Sequence, residues 1–301
     1  MTDANQNDTR REGEAGPGLP DSIRLGGVHL HVSELGRSID WYREILGFDL
    51  LHREGTSAQM GVRGRERPLL VLDAEEGVRP TRPGSRLGLF HFAILLPARE
   101  ALGRFVGHLA AGGVRVGASD HGVSEALYLT DRDGLGVEVY ADRPRERWEW
   151  GGGQVRMTTE PLDLEDLRSS GGGGPWEGLP EGTTLGHIHL HVGSLEEAEA
   201  FYHRELGLDV TARGYPGALF LAAGGYHHHL GVNRWAGPVP APGPGEARLD
   251  HWTLELPGVD SVETVVDRFR RADRTIEEAG EEGVLVCDPW GTRLHLRVVP
   301  S

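Results

Sequence analysis

Lysine is missing altogether: all 31 basic residues are arginine, set against 46 acidic ones, for a formal charge of −15. That balance offers no basic face to a nucleic-acid backbone or to an anionic membrane surface. Cysteine occurs once, as Cys287, so no internal disulfide can form. With no CxxC and no neighbouring Cys/His pair, this thiol is expected to be buried and structural. No apolar run reaches the roughly 20 residues of a membrane helix. The opening MTDANQNDTRREGEAGPGLP has no apolar signal core, so a cytoplasmic protein is expected. What the chain does have is 38% hydrophobic residues over 301 positions, enough for two packed domains.

An internal repeat organises those residues. Leu25 to Phe48 reads LGGVHLHVSELGRSIDWYREILGF, and Leu185 to Leu208 reads LGHIHLHVGSLEEAEAFYHRELGL. In both copies an alternating strand leads to a helix expected to be capped by Ser33 or Ser194. The helix buries an aromatic pair (Trp41-Tyr42, Phe201-Tyr202) and stops at Gly47 or Gly207. Each copy is followed by shorter strands and a more divergent unit. One opens at GLFHFAI (Gly88 to Ile94) and closes at Glu138; the other opens at LDHWTL (Leu249 to Leu254) and closes at DPWGTRLH (Asp288 to His295). Four βαβββ modules of α+β class result. The expected layout is a disordered tail over 1–22, two modules over 23–145, a Gly/Pro-rich linker over 146–183 and two modules over 184–300.

The segment DHGVSEALYLTDRDGLGVEVY, Asp120 to Tyr140, places His121, Tyr128 and Glu138 around a turn, Asp131 to Gly134, between strands expected at Ala126 to Thr130 and Leu135 to Ala141. It resembles the signature of extradiol ring-cleavage dioxygenases in the vicinal-oxygen-chelate superfamily, with Arg132 where that family usually has proline. The phrases GLFHFAILLP, HGVSEALYL, GHIHLHV and GYHHHLGVN resemble the catechol-2,3-dioxygenase-like, four-module branch. The resemblance implies two domains of incomplete β-barrels, with ligands on the first and last strands of modules so that paired modules converge on one ion.

On that plan module one has Gly27 at its first-strand position, although His29 and His31 lie nearby, and no donor around Leu69 to Leu72. Module two offers His91 and Glu138, module three His187 and His229, and module four His251 and His295. Pairing in chain order splits the donors, leaving His91 and Glu138 apart from His187, His251 and His295. Permuted pairing, two with three and one with four, unites His91, His187 and Glu138, and is the arrangement expected. The resemblance then implies Fe(II), with Mn(II), Ni(II) or Zn(II) as other metals that could load. His121 would be the acid/base, Tyr128 the hydrogen-bond donor to the reacting oxygen, and the partners a small aromatic diol and O2. His227, His229 and His251 are candidates for substrate contact or support of the ligands. In a strand, His227 and His229 would share a face and His228 would point away. A glyoxalase I-like lyase or isomerase with His229 as fourth ligand, and a metal-free binding protein, are the alternative readings. A homo-oligomer is compatible with all of them.

Overall fold

The computed structural model describes residues 18–280 and 283–299. Positions 1–17 of the expected tail lie outside the described residues, but from Leu19 onward the chain is packed: Leu19 and Ile23 are buried and Leu19 N donates to Gly207 O at 3.0 Å.

Four βαβββ modules follow one another. The first comprises β1 (Arg24–Val32), α1 (Leu35–Trp41), β2 (Asp49–Glu54), β3 (Ser57–Gly61) and β4 (Leu70–Ala74). The second has β5 (Gly88–Leu95), α2 (Arg99–Ala111), β6 (Gly117–Asp120), β7 (Ser124–Thr130) and β8 (Gly136–Asp142). Between halves lie β9 (Trp150–Gly151), β10 (Gln154–Val155) and α3 (Leu164–Ser170). The third has β11 (Thr184–His191), α4 (Leu195–Glu199), β12 (Asp209–Ala212), β13 (Ala218–Ala222) and β14 (Leu230–Asn233). The fourth has β15 (Arg248–Pro257), α5 (Val259–Arg271), β16 (Ile276–Glu278), β17 (Val284–Cys287) and β18 (Arg293–Val299). None of the described helices is long and apolar enough to cross a membrane.

Local sequence explains these elements. Helix α5 buries Val262, Val265, Val266 and Phe269, the i, i+3, i+4, i+7 stripe of an amphipathic helix. Helix α1 continues into a π-helical turn, Tyr42–Leu46, and Gly47 ends it in the left-handed region at φ 81°. Ser194 caps α4 as expected, accepting from Glu197 N. The cap of α1 is Glu34 instead, accepting from Gly36 N and Arg37 N, because Ser33 is engaged by Asp133 through both its amide and its hydroxyl. Cys287 is exposed rather than buried. In β17 the inward faces belong to Val284 and Val286, and period-2 alternation turns Cys287 out.

The modules pair across the halves. Strand β1 runs antiparallel to β15, and β5 antiparallel to β11, so module one shares a cup with module four and module two with module three. Within each module the first and last strands are parallel neighbours. Leu25 pairs with Leu185 across β1 and β11, which makes the strands of the two cups one continuous sheet. The sequence halves 23–145 and 184–300 therefore each supply one module to each cup. The connecting segment is not loose: Leu167 of α3 is fully buried, and α3 lies so close to α2 that a Cβ on Gly103 would stand 2.3 Å from Leu167 O.

Candidate metal centre and its cavity

Three donors converge where modules two and three meet. His91 lies on β5, Glu138 on the parallel neighbour β8, and His187 on the antiparallel neighbour β11. Sheet hydrogen bonds fix all three backbones, which gives a ligand set its rigidity. Glu138 Oε2 is 3.0 Å from His91 Nε2 and 3.1 Å from His187 Nε2, with all three residues buried. Donor atoms bound at about 2 Å to one ion sit roughly 3 Å from each other, so these spacings match the edges of a coordination shell. Both imidazoles thus turn Nε2 to the same carboxylate oxygen, which brings the three donor atoms to one point.

The electrostatics agree with that use. Burial alone would raise the pKa of Glu138, but the neighbouring His187 and His91 outweigh it and hold the carboxyl well below its ordinary value. Burial also lowers the pKa of His91. An ionised carboxylate beside a neutral imidazole is the protonation state that a divalent metal requires of its ligands. The donor set of two imidazoles and one carboxylate on one face fits a divalent transition metal with positions left open.

Above the donors is a cavity of about 230 Å³ whose lining includes His121, Tyr128, His189 and His228. Tyr128 sits across the β7/β8 ladder from Glu138, and its hydroxyl is 2.6 Å from His121 Nε2. His121 Nδ1 is 2.6 Å from Thr158 O. A carbonyl can only accept, so Nδ1 carries the proton and Nε2 accepts from Tyr128 OH. Burial raises the Tyr128 pKa well above 10, which keeps its hydroxyl protonated. Thr158, Met157 and Thr159 come from the inter-half segment, so that segment completes the cavity as well as connecting the modules.

The histidine run at 227 to 229 is placed differently from the alternation argument. Residues 223–229 form a loop ahead of β14, so strand alternation does not apply to them. His228 lines the cavity, with its ring centroid 4.1 Å from that of His187. His227 is fully buried, Nε2 lying 2.9 Å from Asp142 Oδ1 and Nδ1 lying 2.7 Å from His228 Nδ1. His229 Nδ1 accepts from Ala223 N at 3.3 Å, and its ring packs on Tyr226. His251 lies on β15 in the other cup, away from this cavity. From the sequence, His228 was expected to point away and His189 only to line the barrel interior or its edge; both line the cavity. His189 was detectable as the i+2 neighbour of His187 on one strand face, whereas nothing in the loop sequence singled out His228.

Comparison with known proteins follows the same lines. The sequence model of the Glyoxalase/Bleomycin resistance protein/Dioxygenase superfamily matches residues 24–139 and 184–296. A catechol-2,3-dioxygenase of Bacillus subtilis (strain 168) is 42% identical over 275 residues, covering 90% of this chain and 95% of the relative. Among solved structures, a Bacillus subtilis subsp. subtilis str. 168 protein provisionally called a dioxygenase superposes with TM-score 0.64 at 11% identity, over 95% of this chain and 87% of that one. Glyoxalase I from Zea mays superposes with TM-score 0.55 at 18% identity, over 92% of each chain. At such identities the two structures speak for the fold alone.

Proposed function

We propose that this chain, which belongs to the Glyoxalase/Bleomycin resistance protein/Dioxygenase superfamily, is an Fe(II)-dependent extradiol dioxygenase that opens a catechol-type ring with O2. The observation that carries the reading is the convergence of His91, Glu138 and His187 beneath the His121–Tyr128 pair. A divalent iron held by those three residues would supply open positions for both diol oxygens and for O2, and a path for electrons between them. Carbon–carbon cleavage beside the diol then puts one atom of O2 into an aldehyde and the other into a carboxylate, giving a yellow semialdehyde.

The chain's own residues orient, desolvate and move protons. Phe90, Val123, Met157 and Phe220 give the cavity apolar walls. An apolar cavity of about 150 Å³ already holds benzene, so about 230 Å³ accommodates one ring with small substituents. Asp142 accepts from His227 Nε2–H, His227 Nδ1 accepts from His228 Nδ1–H, and His228 Nε2 is left with its lone pair. Burial holds the His228 pKa well below 6.5, so this nitrogen is unprotonated and can accept a hydrogen bond from an incoming diol. Tyr128 OH has one proton, given to His121 Nε2 in this structure, and would have to turn it from His121 to the oxygen where negative charge develops to stabilise that charge. Glu138 offsets part of the metal's charge.

The 42% identity to a catechol-2,3-dioxygenase supports this reading. The glyoxalase-type alternative needs a fourth protein donor, and His229, its candidate, is turned to Ala223 and Tyr226. The test is oxygen uptake by protein reconstituted anaerobically with Fe(II), using catechol and methylcatechols. Stoichiometric O2 consumption with yellow product is expected. No oxygen uptake, together with isomerisation of a thiol hemithioacetal, would overturn the assignment.

A further inference from the structure

The second cup repeats the backbone of the first with different side chains. On β5 and β11, His91 lies opposite His189 and Leu89 opposite Leu190, so Phe90 is an extra, bulged residue. The bulge turns both Phe90 and His91 into one cavity, the re-aiming that β-bulges perform beside sites. Strands β15 and β1 carry the same bulge: His251 lies opposite His29 and Leu249 opposite Leu30, making Asp250 the extra residue. A carboxylate therefore occupies the position that Phe90 holds in the first cup. Gly27, opposite Thr253, stands where the first cup has His187 opposite Ala93. His251 thus keeps the place of His91, while the other donors, Asp250 and His29, stand where the first cup has Phe90 and His189.

They are brought together. His251 Nδ1 is 2.7 Å from Asp250 Oδ2, His31 Nε2 is 3.3 Å from Asp250 Oδ1, and the His29 and His251 rings are 4.9 Å apart. One donor atom from each of His29, Asp250 and His251 falls within 4.8 Å of the others. Asp73 on β4 holds the His29 ring through Nε2, the carboxylate–histidine pairing that orients ligand imidazoles. Arg293 also reaches Asp250, at 3.2 Å, but it is shared with Glu277, so acidic groups outnumber the cation.

We propose that His29, Asp250 and His251 form a second divalent-metal site, distinct from the catalytic centre, that takes Zn(II) or an ion of similar donor preference. Two imidazoles and a carboxylate suit that class. An ion there would tie β1 to β15, the seam between the first and last modules, and its function would be structural.

The test is a calorimetric titration of chelator-stripped full-length protein with Zn(II). Wild type should bind two equivalents. Asp250→Asn and His251→Ala should each lose one equivalent while keeping catechol turnover after iron loading, both side chains being partly exposed and separate from the catalytic cavity. Glu138→Gln should retain the second-cup equivalent, with a Zn(II)-dependent rise in Tm that Glu138→Gln/Asp250→Asn lacks. Unchanged stoichiometry in both Asp250→Asn and His251→Ala would overturn the proposal. A wild type with one equivalent, lost on Asp250→Asn but kept in Glu138→Gln, would uphold it and count against the catalytic triad instead.

Discussion

His121 and Tyr128 are one hydrogen-bonded unit outside the proposed ligand set, so their removal should separate chemistry from metal binding. His121→Ala should retain iron and catechol affinity while turnover falls about 100- to 10,000-fold, the usual worth of a positioned acid/base; Tyr128→Phe should cost less. Loss of iron in His121→Ala would contradict the division of roles. The buried histidines also set the acid response of the metal-free protein. Burial lowers the pKa of His91, His189 and His228, and that of His229 to about 3. Below about pH 6.5 the unfolded chain takes up protons that the folded chain refuses, so stability must fall as pH drops. Each such histidine contributes up to about 1.4 kcal/mol per pH unit. Glu138 acts later: its folded pKa is depressed, so its contribution is lost only as pH falls through that low value. Urea denaturation of apo-protein should therefore show lower stability at pH 5.5 than at 7.5, and equal stabilities would mean these rings are not buried as neutral groups. At this scale the sequence was informative where a residue stood in a repeat. His91, Glu138 and His187 could be proposed from module position, while His228 could not, because a loop has no period from which to read the direction of a side chain.

Two turns do the same work in opposite halves. Asp131 Oδ1 accepts from Asp133 N and Leu135 N, both at 2.8 Å, and its other oxygen accepts from Tyr42 OH at 3.0 Å. Asp288 accepts from Trp290 N at 2.9 Å, Thr292 N at 2.8 Å and Tyr202 OH at 2.9 Å. Each turn thus anchors the helix of the preceding module and sets the start of a closing strand, β8 or β18. Asp131→Ala would strand two buried amides and a phenol. At about 1–3 kcal/mol for each unsatisfied group, the protein should lose about 3 kcal/mol or more by denaturation, whereas Asp131→Asn, which keeps an acceptor for the amides, should lose much less. Similar losses in both variants would mean that the turn's hydrogen bonds are not what anchors it. These turns and their flanking strands were legible from Asp/Gly clusters between alternating runs. The cap at Glu34 and the outward Cys287 were not. Ser33 is diverted by Asp133, a residue 100 positions away, and the face of β17 depends on register with β18, neither of which is written locally.

Over the whole molecule, the donor inventory of the modules pointed to the permuted pairing, and β5 against β11 and β1 against β15 make it. The bulges could not be read, since a bulge is a property of two strands together. The pairing has a consequence for the halves: residues 23–145 alone leave the β5 and β1 edges that β11 and β15 cover without partners. Exposed edges of that kind aggregate. The isolated N-terminal half should be insoluble or unfolded by circular dichroism, and a stable monomeric half would contradict the interlocked fold. The most direct test of the account is to compare His187→Ala with His251→Ala for iron-dependent oxygen uptake on catechol after identical Fe(II) loading. A site built from modules two and three predicts that His187→Ala, though distant in sequence from His91 and Glu138, loses turnover, while His251→Ala stays within about twofold of wild type, because its side chain stands in the other cup. Loss of turnover in His251→Ala with retention in His187→Ala would place the centre in the cup of modules one and four and contradict it.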